Sequence, residues 1–199
     1  MPVIAIALVT EDDLSMAVLK RVVMSSGARF SVAREFVERG AGNIKRSVSK
    51  YKNSSHVFPH LVLTNLDDAI CPAALRVHWD VADLPARMLF RVAVRETESW
   101  LLGDRTGFAR FAGIPLNKMP LRPEILSKPK KTLMSLTKRG RNRRLAIELV
   151  PAAGSGARIG PLYNERLVPF VVGQWDIDAA GAQCPSLQRM RDRLQGFLR

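Results

Sequence analysis

Three short apolar runs in this chain each end in acidic residues, and that pattern limits what it can fold into. Val3-Ile4-Ala5-Ile6-Ala7-Leu8-Val9 leads into Glu11, and Leu61-Val62-Leu63-Thr64-Asn65-Leu66 into Asp67 and Asp68. Met88-Leu89-Phe90-Arg91-Val92-Ala93-Val94 leads into Glu96 and Glu98. Runs of this length without alternation read as strands buried on both faces, the habit of parallel sheets. Helical patterns separate them, so the expectation is an α/β fold with a mainly parallel central sheet flanked by helices. Ligands of open parallel sheets bind outside the carboxyl ends of the strands. Carboxylates gathered on that rim supply the oxygen ligands that hard divalent cations take.

The pattern predicts strands at 2–10, 29–36, 57–66 and 88–94. A helix follows the first strand, capped by Asp12 or Asp13, and a basic helix lies near 43–52. Pro72 opens a short helix to Val77, and helical segments follow at 95–102 and 105–112. After Pro115 the composition changes: Pro120, Pro123 and Pro129 punctuate a loop-rich stretch, and helices are expected near 130–138, 145–150, 162–173 and 186–198. Residues 1–114 therefore read as the α/β domain, and 115–199 as a basic, mostly helical extension packed on it.

Charge is unevenly spread along the 199 residues. Residues 1–100 hold 13 Lys/Arg against 11 Asp/Glu, and residues 101–199 hold 18 against 7. Eight cations, Lys128, Lys130, Lys131, Lys138, Arg139, Arg141, Arg143 and Arg144, fall within seventeen residues that contain no acid and no aromatic residue. Such density suits a phosphate backbone, held without base stacking and with little sequence selectivity. A solvated basic face, or one that meets an acidic protein, is the alternative.

No apolar stretch approaches the length of a membrane span, and Met1-Pro2-Val3-Ile4 lacks the basic start of a signal peptide, so the reading is cytoplasmic with no membrane partner. Cys71 and Cys184 read as unpaired thiols. His56, His60 and His78 fit no zinc pattern, and neither a P-loop nor a G-x-S-x-G elbow occurs.

Glu11 and Asp67 form the leading site. A switch point places the ends of neighbouring strands side by side, and Mg²⁺ needs only one or two carboxylates there. The plain alternative is that Glu11, Asp12 and Asp13 cap a helix while Asp67-Asp68 make a turn. Glu98 reads either as a reach to the same rim or as an ordinary helix carboxylate.

The order strand–Glu, then strand–Asn65-Leu66-Asp67, resembles the Toprim fold of topoisomerases, primases and OLD-type nucleases. It is closer still to a small Toprim-like bacterial family of unknown function, often encoded beside an ABC-type ATPase. The matching pieces are Val9–Leu19, Gly42-Asn43, Leu61–Pro72, Phe90–Asp104, Pro129-Lys130, Gly160-Pro161-Leu162-Tyr163-Asn164, Trp175-Asp176 and Pro185-Ser186-Leu187. The resemblance implies Glu11 as general acid/base or metal ligand and Asp67 as ligand of Mg²⁺ (or Mn²⁺), with Asn65, Asp68 and Glu98 assisting. It further implies a nuclease on DNA or RNA, an ABC-type ATPase partner and a role in anti-phage defence. Asn65 stands where the family places an aspartate, and Ser15 where OLD-like relatives often do. The rival expectation is thus a catalytically degenerate subunit that binds nucleic acid or its partner without cleavage.

Overall fold

The apolar runs pair as four parallel strands, β1 (Ile4–Thr10), β2 (Phe30–Val37), β3 (His60–Asn65) and β4 (Met88–Ala93), in the order β2-β1-β3-β4. These come from a computed structural model that describes residues 3–27 and 29–198. The helices between the strands are α1 (Asp13–Ser25), α2 (Ala41–Ser54) and α3 (Pro72–His78). The α/β class with an all-parallel sheet is as the sequence predicts. β3 begins three residues later than expected because Pro59 has no N–H to give the ladder, while its carbonyl accepts from Ala7 N at 2.9 Å.

All six residues of β3 are buried, as its central place requires. One core gathers Val9, Val62 and Phe90 of the sheet with Ile44, Val48 and Tyr51 of α2 and Leu75 of α3. Asp12 caps α1, its carboxylate accepting from Ser15 N at 2.8 Å.

The rest of the chain is helical: α4 (Thr97–Gly103), α5 (Arg105–Ala112), α6 (Pro129–Arg139), α7 (Arg143–Leu149), α8 (Tyr163–Gly173), α9 (Ile177–Gln183) and α10 (Pro185–Gly196). Compactness divides the chain into unit 1, Met1–Val94 with Ser186–Arg199, and unit 2, Arg95–Pro185. The sequence reading instead places the boundary at 114/115. Long-range bonds explain why α10 rejoins the sheet's unit. Ser186 Oγ accepts from Val94 N at 3.3 Å, Arg29 donates to the carbonyls of Leu194 and Phe197, and Phe197 stacks on Phe30. With α10 reassigned, the charge asymmetry between the halves nearly vanishes between units: unit 1 holds 16 Lys/Arg against 10 Asp/Glu, unit 2 holds 15 against 8.

Unit 2 is organised on α4, all seven of whose residues are buried. Trp175 Nε1 donates to the Trp100 carbonyl at 3.2 Å. The buried Asp104 carboxylate accepts from Gly107 N at 2.8 Å, capping α5, and from Asp176 N at 2.9 Å. Gly160 is forced by close approach, since a Cβ there would lie 2.4 Å from the Glu148 carbonyl oxygen and from Leu149 C. Both are backbone atoms and cannot swing aside. Gly160→Ala is therefore expected to destabilise unit 2 by about 3 kcal/mol, the upper end for overpacking, read as a lowered urea midpoint.

Candidate active site at the β1–β3 switch point

β1 connects through α1 to β2 on one side of it, and β3 through α3 to β4 on the other. The carboxyl ends of β1 and β3 are thus the topological switch point of the sheet, where ligands of open α/β folds bind. Their register pairs Val9 with Val62, which brings Glu11, just past β1, level with the end of β3. Glu11 is 8% exposed. Its Oε1 accepts from Thr64 Oγ1 and from Asn65 N, each at 2.6 Å. Its Oε2 accepts one long bond, 3.4 Å, from Asn65 Nδ2.

Burial pushes the Glu11 carboxyl up to about 7. The Thr64 and Asn65 hydrogen bonds pull it down, and the nearby carboxylates of Asp67 and Asp12 push it further up. Asp67 sits in the left-handed region (φ 48°), which Asp tolerates better than most side chains and which recurs at functional turns.

A cleft of about 550 Å³ opens beside Glu11, lined also by Asp12, Asp13, Val37, Arg39 and Gly40. Gly40 is needed in this wall, because its φ of 123° is closed to L side chains. The amide of Asn43 fastens the same turn by donating to the carbonyls of Glu38 (2.5 Å) and Arg39 (3.2 Å). That gives Gly42-Asn43 a structural part.

Among the described residues no three His, Cys, Asp or Glu side chains cluster as a metal centre. The donors near Glu11 are Asp67 and Asp12, with Asn65 at the end of β3 and Asp68 next to Asp67 on the turn that follows. These are hard oxygens, and Mg²⁺ bound by one or two carboxylates keeps most of its waters. Burial is the main cause of the raised Glu11 carboxyl, and the smaller repulsion from Asp67 and Asp12 is what a cation would relieve. The residues present therefore fit a water-rich Mg²⁺ site and not a closed cage. Asn65 differs from an aspartate in a definite way: its amide donates to Glu11, where a carboxylate would repel it.

Glu98 belongs to unit 2. Only 2% exposed on α4, it accepts from Tyr163 Oη at 2.9 Å and pairs with Lys130 Nζ at 3.3 Å. Glu96 accepts from Lys130 N at 2.7 Å and so caps α6, which has no side-chain cap of its own. Glu96, Glu98, Lys130 and Tyr163 come from three of the sequence pieces quoted above, and they meet in one polar knot. Sequence reasoning did not anticipate that Tyr163 and Lys130 converge there, nor that Thr64 orients Glu11.

The basic residues fall on more than one feature of unit 2. Lys128, Lys131 and Arg139 line a groove of about 360 Å³ with Ser127 and Ser135 along α6. Arg141 lines a separate pocket with Arg110, and Arg144 pairs with Glu148 at 3.0 Å. Lys138 and Arg143 are exposed. Lys130, expected among the phosphate binders, is half-buried on Glu98.

No family model, curated protein or solved structure matches this chain. Among the described residues no helix is long and apolar enough to cross a membrane.

Proposed function

We propose that the chain is a Mg²⁺-dependent, Toprim-like phosphodiesterase that hydrolyses a DNA or RNA backbone. The observation that carries this reading is Glu11: a buried carboxyl raised to about 7, at the switch point, beside Asp67. A group poised near neutrality both takes and gives protons efficiently. Thr64 Oγ1 and Asn65 N fix its orientation through Oε1. Asp67, with Asp68 and the Asn65 carbonyl, would hold the cation beside it. Bound Mg²⁺ polarises a phosphoryl oxygen and acidifies a water. Glu98 is committed to Tyr163 and Lys130 within unit 2.

Lys128, Lys131 and Arg139 hold the phosphate backbone along the α6 groove. Replacing all three with Ala lowers the slope of log K against log salt by about 2.7 on duplex DNA, as three lost phosphate contacts require. An unchanged slope, measured by fluorescence anisotropy, removes this groove from the interface. By the resemblance that motivates the reading, the chain is cytoplasmic and serves as effector to an ABC-type ATPase in anti-phage defence.

One observation favours a second reading, a degenerate subunit that binds without cutting: the Asn65 amide already satisfies Glu11 where the fold family carries a second ligand aspartate. The deciding experiment incubates the chain, alone and with the ATPase, with linear and circular DNA and with RNA in Mg²⁺, Mn²⁺ or EDTA. Metal-dependent cleavage supports the enzyme. Binding without cleavage under every condition supports the subunit.

A further inference from the structure

Four arginines from three distant stretches of sequence converge in unit 1, away from any acidic partner. Arg91 lies on the edge strand β4, Arg76 on α3, and Arg189 and Arg193 on α10. Arg76, Arg91 and Arg189 line a small cavity of about 60 Å³ with Phe90, Val92 and Ser186. The geometry points to a phosphoryl-binding notch at the outer edge of the sheet, in which these arginines receive one phosphoryl group.

Three observations carry it. First, among the described residues none of the four arginines makes an ion pair. Arg76 spends two donors on carbonyls, Phe90 at 3.1 Å and Ala82 at 3.3 Å, which fixes its guanidinium and leaves its charge uncompensated. Second, Arg91 Nε is buried with no hydrogen-bond partner. A buried guanidinium N–H without an acceptor is costly, and a bound oxyanion relieves it. Third, Arg91 feels only like charge: burial and the Arg76, Arg193 and Arg189 guanidiniums push it down to about 10. A fold tolerates such repulsion best where an anion sits among the charges.

The size of the cavity selects the ligand. About 60 Å³ is the scale of one small oxyanion. Several guanidinium forks converging from different elements suit the tetrahedral spread of phosphoryl oxygens better than a planar carboxylate. The notch stands whether or not the switch point cuts nucleic acid.

The test titrates inorganic phosphate into the full-length protein by calorimetry, against NaCl at matched ionic strength. Phosphate should bind the wild type, and Arg91→Met should weaken it by about tenfold or more, the value of a charged hydrogen bond. Arg189→Gln, an exposed change that spares the fold, should weaken it several-fold and carries the test if Arg91→Met fails to fold. A second arm compares 5′-phosphorylated with 5′-hydroxyl oligonucleotides. An Arg91-dependent preference for the phosphorylated end identifies nucleic acid as the source of the group; equal binding with the phosphate effect intact identifies a free phosphate. Phosphate no better than chloride, or variants that bind it like the wild type, overturns the proposal.

Discussion

Glu11→Gln is expected to lower metal-dependent cleavage by about 10²- to 10⁴-fold, the range general acid–base groups supply. It is also expected to make the protein more stable at alkaline pH. The two effects share one cause. The folded carboxyl titrates near 7 and the free one at 4.5, so between those values the folded state holds a proton that the unfolded state has lost. Stability from this group is complete below pH 4.5 and disappears as pH rises through 7, a loss that approaches about 3 kcal/mol. Glutamine keeps an acceptor for Thr64 and Asn65 N and never ionises. Urea unfolding should therefore find the two proteins alike at pH 4.5 and the variant more stable at pH 8. Millimolar Mg²⁺ should raise the melting temperature of the wild type at pH 8 by more than that of the variant, which keeps Asp67 and Asp68 but lacks the Glu11 charge. A stability difference between the two proteins that stays the same from pH 4.5 to pH 8, or full cleavage by the variant, removes Glu11 from the mechanism.

The second large effect is expected in unit 2. Lys130→Met takes the cation from Glu98, which is 2% exposed, while the stem of the side chain is roughly preserved. Removing one partner of a buried pair costs about 3 kcal/mol, because the other charge stays behind. In a chain of this size that is a fall of roughly 6–12 °C in melting temperature. Adding Glu98→Gln should return most of it, since the amide still accepts from Tyr163 and carries no charge. A double variant as unstable as Lys130→Met would show that the loss comes from packing of the lysine stem.

The strands were legible because burial on both faces leaves an uninterrupted apolar run, although the start of β3 was read three residues early, through Pro59. The pairing of Glu11 with the end of β3 was legible for a related reason: acids just past buried strands have few places to go but the rim. The boundary between the units was not legible. It depends on bonds such as Arg29 to the Leu194 carbonyl, 165 residues apart, which leave no local trace. α9 went unseen because Ala179, Ala180, Gly181 and Ala182 give no hydrophobic period. Its only local signal was Asp176, whose carboxylate accepts from Asp178 N and Ala179 N. The break between α6 and α7 was legible in the basic run around Gly140, but its packing cause was not. Gly140 packs so closely on the Ala112 carbonyl that a Cβ would lie 2.1 Å from it, a constraint set by a distant helix. The arginine notch was equally invisible, its members being separated by up to 117 positions between Arg76 and Arg193.

The return of α10 to the sheet has a consequence for how this polypeptide is made. On the ribosome, residues 95–185 emerge as one continuous stretch, so all of that unit's internal contacts are available before Ser186 is made. The sheet, although translated first, must wait for the segment from Ser186 onward before its last bonds form. A frameshift or premature stop in that late stretch would thus remove bonds of the unit bearing Glu11 and none within residues 95–185.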